Sequence, residues 1–164
     1  RVLNGSLQAW RSAELPTRGG EEAYSPATFT PSLRPELFAT TREVAEGMDG
    51  AVCTINALPE PVYDGSGDFY YGRKGHIPGS LSLPFSDLLR DEHFLPADEL
   101  QKLLSAQNML NEARTLIYCG GGIAATLDGF ACMLLGQQNV GVYDGSMSEW
   151  ASDPDRPLKL GATP

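Results

Sequence analysis

Thr115-Leu-Ile-Tyr-Cys119-Gly-Gly-Gly-Ile-Ala-Ala-Thr126 holds most of the architectural information in this chain. The short apolar run Thr115 to Tyr118 predicts a buried strand. It stops at a cysteine, and three glycines then let the backbone turn tightly with no Cβ in the way. A helical pattern follows from Ile123 to Leu135 and is stopped by Gly136. Its predicted buried stripe is Ile123, Leu127, Phe130 and Leu134, at helical spacing. Successive N–H groups in such a turn form an anion-holding nest. The helix start adds its own unpaired N–H groups and positive dipole end. Cys119 in that setting is expected to be a thiolate and a nucleophile, with an anion held by the backbone of Gly120, Gly121, Gly122, Ile123 and Ala124.

On either side of this stretch, strands and helices alternate. Thr40 or Thr41 caps a predicted helix reaching about Met48, and Ala51 to Ala57 reads as a buried strand. Residues 58–75 form a long loop rich in Pro, Gly, Asp and Tyr, of the kind that often carries function. Ser80 to Leu83 alternates like a short strand, and Phe85 to Arg90 reads as a helical turn. Pro96 starts a helix reaching about Asn108, with Leu100, Leu103 and Leu104 on one face. Val140 to Tyr143 is the last predicted strand, and Met147 to Ser152 the last helix. The alternation implies an α/β fold, with a largely parallel sheet covered on both faces. Ligands of such sheets sit beyond the carboxyl ends of the strands, where Cys119 lies.

A repeat organises the ends. Arg1-Val-Leu-Asn-Gly-Ser-Leu-Gln-Ala-Trp10 aligns with Gly141-Val-Tyr-Asp-Gly-Ser-Met-Ser-Glu-Trp150 at an offset of 140 residues. Val, Gly, Ser and Trp are identical at matched positions, and the offset is about one domain. Residues 1–15 are therefore expected to be the last strand, turn and helix of a preceding, missing copy. Residues 16–35, rich in Pro, Gly and Thr without apolar periodicity, read as a linker. The main domain then spans 36–158, and 159–164 form a tail.

The 164 residues are 41% hydrophobic and 20% charged, which is ordinary for a globular domain. A net charge of −9 argues against nucleic acid and anionic membrane surfaces as partners. No apolar run approaches the ~20 residues of a membrane span. Three cysteines, an odd number without metal-ligand spacing, point to free thiols in a reducing, cytoplasmic setting. Cys53 and Cys132 read as small buried hydrophobes. His76 and His93 lie far apart, so neither a metal site nor a cofactor is expected.

Two further motifs, Gly75-His-Ile-Pro-Gly-Ser80 and Tyr143-Asp-Gly-Ser-Met-Ser-Glu-Trp150, join the strand-cysteine-loop-helix around Cys119. Together they resemble the rhodanese family, and more closely the C-terminal catalytic half of a tandem-domain thiosulfate or 3-mercaptopyruvate sulfurtransferase. The resemblance implies the rhodanese-like three-layer fold. It also implies a two-step exchange, in which Cys119 takes a sulfane sulfur from a small anionic donor and passes the persulfide sulfur to cyanide or a thiol, a thioredoxin-like one included. The partner it implies within the protein is an N-terminal domain of the same type. A low-turnover sulfur carrier or regulatory binding module is the alternative.

Two departures from the family pattern bear on the donor. Thiosulfate-type loops often carry a cation two residues after the cysteine, and mercaptopyruvate-type loops a serine; this chain has Gly121. Where the family tends to have Asp-Ala-Arg after the first strand, this chain has Asn56-Ala57-Leu58. Arg73 and Lys74 are the nearest cations, and Arg73 is the candidate for gripping a carboxylate or sulfonate, or else a solvated loop arginine. His76 reads as a structural side chain bonding a loop backbone. Asp144, Ser146 and Trp150 read as a turn, a helix cap and a packing anchor. Cysteine phosphatases need an arginine at the position held by Ala125, so phosphoryl chemistry is excluded.

Overall fold

The computed structural model describes residues 2–50, 52–111 and 113–164. In chain order its strands are β1 (Cys53–Asn56), β2 (Leu81–Ser82), β3 (Leu89–Arg90), β4 (His93–Phe94), β5 (Thr115–Tyr118) and β6 (Val140–Val142). Its helices are α1 (Ser6–Ser12), α2 (Thr41–Glu46), α3 (Glu60–Tyr63), α4 (Ala97–Ala106), α5 (Ala125–Leu134) and α6 (Ser146–Trp150). Two short 3-10 turns lie at Pro35–Leu37 and Phe85–Leu88.

Four strands form one parallel sheet in the order β2-β1-β5-β6. β1 and β5 run in register from Cys53 beside Thr115 to Asn56 beside Tyr118, and β5 pairs β6 from Thr115 beside Val140. β5 is buried at all four positions, as its uninterrupted apolar run requires of a strand covered on both faces. The expected α/β architecture with a mostly parallel sheet is the one observed. The end of the expected helical turn at Leu89–Arg90 instead pairs with β4 as a small antiparallel hairpin. The start of the strand expected from Ala51 lies outside the described residues.

α2 begins with a complete capping box: the Thr40 hydroxyl accepts from the Glu43 N–H at 3.2 Å, and the Thr40 N–H donates to Glu43 Oε2 at 2.8 Å. α4 buries Leu100 and Leu104, as its period predicts.

α5 inverts the expected face. Ile123 is 82% exposed, Leu134 55% and Phe130 40%, while Ala125, Asp128, Gly129, Ala131 and Cys132 are buried. The helix lies against β5 and β6. A Cβ added at Gly129 would already meet the side chains of Val140 and Val142 at 3.5 Å. Only small residues fit that close approach, so the bulky apolar stripe faces outward.

At the N-terminal end, a turn leads into α1, but residues 2–5 form no strand. The side chain of Asn4 instead accepts the Phe94 N–H at 2.9 Å. Residues 15–34 carry neither helix nor strand and are exposed throughout.

Candidate active site

Cys119 leaves the carboxyl end of β5 at the floor of a cleft of about 630 Å³, with Gly120, Gly121, Ile123 and Ala124. What shapes the loop is the start of α6. The Met147 N–H donates to the Cys119 carbonyl at 3.0 Å, and the Ser148 N–H to the Gly120 carbonyl at 2.9 Å, joined there by the Ser148 hydroxyl at 2.7 Å. These loop carbonyls satisfy N–H groups that a helix start leaves orphaned. In a trans peptide the N–H points opposite to the C=O. Turning the carbonyls of Cys119 and Gly120 toward α6 therefore turns the N–H groups of Gly120 and Gly121 away from it.

Among the described residues, the N–H groups of Gly120, Gly121, Ile123 and Ala124 donate to no protein acceptor. The fifth expected donor is already committed. Gly122 gives its N–H to the Ser146 hydroxyl at 3.1 Å, and the same oxygen accepts the Cys119 N–H at 3.1 Å while donating to the Tyr143 carbonyl at 2.7 Å. One buried hydroxyl thus makes three bonds, its full capacity. Ser146 was expected to cap α6, yet it makes no cap bond and instead fixes the cysteine loop.

The three glycines of the loop have different reasons. A Cβ on Gly120 would sit inside the Tyr71 ring, which covers the loop. Gly122 has φ +81 and abuts Asp144, a conformation that disfavours any side chain. Gly121 has nothing within 4 Å of an added Cβ, so this position is open.

The cleft walls come from the long loop and the 3-10 turn: Leu58, Pro59 and Val62 on one part, Phe69, Tyr71 and Phe85 on another, with Leu127 and Ser148 completing them. None of the described residues lining it is charged. Leu58 stands in this wall at the position where the resemblance implies an arginine.

Arg73 is corrected by the structure. Its Nε donates to the Ala151 carbonyl at 3.1 Å, and its Nη2 to the carbonyls of Asp153 at 2.7 Å and Arg156 at 2.9 Å. It does not line the cleft. The guanidinium straps the segment after α6 to the long loop, sharing the Asp153 carbonyl with the Arg156 N–H at 3.2 Å.

His76 is fully buried, with Nδ1 bonded to the Tyr63 carbonyl at 2.9 Å and the ring stacked on Tyr63 at 3.8 Å. Burial lowers its pKa and pushes that of Tyr63 up to about 12. The hub that anchors β5 went unrecognised in the sequence. The buried Tyr118 hydroxyl accepts from the Ile77 N–H at 3.0 Å and Asn56 Nδ2 at 3.1 Å. It lies 2.8 Å from Ser80 Oγ, which gives its own proton to the Ile77 carbonyl, so Tyr118 donates to it. This network ties the strand before Cys119 to the Gly75–Ser80 motif.

Known proteins resemble this chain in sequence and in fold. The sequence model of the rhodanese-like domain matches residues 42–153. A Pseudomonas aeruginosa protein named as a probable 3-mercaptopyruvate sulfurtransferase is 34% identical over 98% of this chain and 57% of its own length. The 3-mercaptopyruvate sulfurtransferase of Escherichia coli K12 is 27% identical over 96% of this chain and 57% of its own. Among solved structures, the anaerobic ergothioneine biosynthesis enzyme from Chlorobium limicola, in complex with trimethyl histidine, superposes with a TM-score of 0.82 at 25% identity. That match covers 98% of this chain and 41% of that one. The chain spans about half the length of the curated relatives it matches.

Proposed function

Since this chain belongs to the rhodanese-like family, we propose that it is a sulfurtransferase whose Cys119 carries sulfane sulfur as a persulfide. The observation that carries this reading is a cysteine on a cleft floor, followed by backbone N–H groups with no protein acceptor. Those donors suit a persulfide anion, which is larger than a thiolate and spreads its charge. In the first step the Cys119 sulfur attacks the outer sulfur of the donor. With thiosulfate the S–S bond breaks and sulfite leaves with the electron pair; with 3-mercaptopyruvate the C–S bond breaks and pyruvate remains after protonation. In the second step cyanide or a thiolate attacks the outer persulfide sulfur, and the Cys119 sulfur leaves as thiolate.

The test is intact mass after incubation with thiosulfate and, separately, with 3-mercaptopyruvate. A gain of one sulfur mass, lost on adding acceptor and absent in Cys119→Ser, is expected. A Cys119→Ser protein that still turns over would overturn the assignment. The low-turnover carrier reading is favoured by the uncharged cleft, and stable loading without acceptor-dependent turnover is its signature.

The repeat supports a partner of the same fold. Ser6 and Ser146 both take left-handed φ, 53 and 49. Trp10 donates its indole N–H to the Pro16 carbonyl at 3.0 Å, and Trp150 to the Pro157 carbonyl at 2.9 Å. The two segments thus share the left-handed serine and the indole-to-proline bond, although the glycine before each serine differs, with φ 82 at Gly5 and -59 at Gly145. On this reading residues 1–15 close a preceding rhodanese-like unit, which covers Phe130 and Leu134 on the outward face of α5.

A further inference from the structure

We infer that the cleft over Cys119 is built for a sulfur compound with an uncharged aromatic or alkyl body, a bulky apolar thiol acting as acceptor. This rests on the sulfurtransferase reading and goes beyond it by naming the substrate class.

Size is the first argument. At about 30 Å³ per water-sized group, a five-atom anion such as thiosulfate fills roughly a quarter of the 630 Å³ cleft. The remainder has room for a body of aromatic-ring size and larger.

Charge is the second. Moving an anionic body into the cleft strips its water, and no charged side chain among the described lining residues replaces it. Leu58 is buried in the wall, and Arg73 spends its donors on the carbonyls after α6. Among the described lining residues, negative charge is provided for at the loop N–H groups, where the reacting sulfurs sit.

Aromatic surface is the third. Phe69 and Tyr71 meet edge to face, with ring centroids 5.1 Å apart at 84°, and Tyr71 overlies Gly120 beside the sulfur. Phe69 is nonetheless 64% exposed, an apolar ring at the cleft lip with much of its surface unburied. An aromatic guest would cover that surface and take the offset or edge-on geometry such rings prefer.

The step balances without an added oxidant or reductant. The acceptor thiolate attacks the outer sulfur of the Cys119 persulfide. A new S–S bond forms as the old one breaks, Cys119 recovers the electron pair as thiolate, and the product is the acceptor's own persulfide.

The experiment loads the 164-residue chain with inorganic polysulfide, removes the excess, and verifies one sulfur on Cys119 by intact mass against Cys119→Ser. Discharge is then followed with benzyl mercaptan and with 3-mercaptopropionate, each rate constant expressed per thiolate. Benzyl mercaptan is expected to react at least about tenfold faster. Phe69→Ala at the exposed lip should shrink that preference, and Ile123→Lys at the exposed rim should shift it toward 3-mercaptopropionate. Equal rates, or a faster carboxylate thiol, on a fully loaded protein would overturn the inference while leaving the sulfurtransferase reading intact. Failure of Cys119 to take up sulfur would overturn that reading and this inference with it.

Discussion

Removing the Ser146 hydroxyl should cost both stability and sulfur loading, and the two losses can be separated. In Ser146→Ala the buried N–H groups of Cys119 and Gly122 lose their acceptor, and the Tyr143 carbonyl loses a donor. A buried group left unpaired costs about 1–3 kcal/mol, and an alanine methyl satisfies none of the three. Three groups at that cost come to about 3–9 kcal/mol, a large part of the roughly 5–15 kcal/mol that holds a domain folded. Ser146→Gly loses the same bonds but relieves a left-handed backbone, φ 49, worth about 1 kcal/mol. The expected order of urea midpoints is therefore wild type, then Ser146→Gly, then Ser146→Ala. Loading of Cys119 with sulfur, measured by intact mass where each variant is still folded, should slow in both, because the freed Gly122 N–H no longer pins the loop. A Ser146→Ala protein within about 0.5 kcal/mol of wild type, with unchanged loading, would refute the assignment of Ser146 as the loop's anchor.

Other outcomes follow from single sites. Gly121→Lys should raise kcat/KM for thiosulfate with little change in Tm, since nothing lies within 4 Å of an added Cβ. Arg73→Met should lower stability by about 1–3 kcal/mol, measured by urea unfolding, because the carbonyls of Ala151 and Arg156 lose this donor while Asp153 keeps the Arg156 N–H, and it should leave the thiosulfate KM of the folded protein unmoved. Burial lowers the His76 pKa below its ordinary 6.5, so the unfolded chain binds the extra proton and stability falls as pH drops below about 6.5. A His76→Gln protein should flatten the Tm profile there. Asp128 has the opposite sign: burial without a partner raises its pKa well above 3.8, so stability falls as pH rises past about 4, and Asp128→Asn should remove that slope. Phe130→Ser with Leu134→Glu should cut the fluorescence of a bound hydrophobic dye, because both side chains are exposed on the face assigned to a preceding unit.

What the sequence disclosed and what it concealed divide along physical lines. β5 was legible to the residue, since a fully buried parallel strand must be an uninterrupted apolar run. The start of α2 was legible to within one residue, Thr40 or Thr41, because a threonine cap bonds only three residues along the chain. α5 misled because its helical period marks the largest apolar residues, while the sheet accepts only the smallest. Periodicity reports amphipathicity, and a helix apolar on both sides has two faces to choose between. Arg73 misled for a related reason. Its spacing from Gly75 placed a cation near the motif, but the competing carbonyls of Ala151, Asp153 and Arg156 lie some eighty residues away in the chain. Ser146, Tyr118 and Asn56 share that difficulty, since each acts through partners from distant segments.

The repeat gives a way past that difficulty, because it tests which features of a segment belong to the fold and which to the chemistry. Gly, Ser and Trp recur in both copies together with the left-handed serine and the indole-to-proline bond. Those are requirements of the turn itself. In the second copy alone, the serine hydroxyl meets a glycine loop, accepting the N–H groups of Cys119 and Gly122. The hydroxyl there does what the turn does not need, which is why Ser146→Gly is expected to keep the turn and lose the loop. The same comparison applied to Ser6, where the described residues offer no such loop, predicts that Ser6→Gly leaves loading unchanged and raises stability by about 1 kcal/mol, the relief of its left-handed φ of 53. A loss of stability at Ser6 would mean that the hydroxyl serves the turn in both copies, and that its bonds to the cysteine loop are incidental.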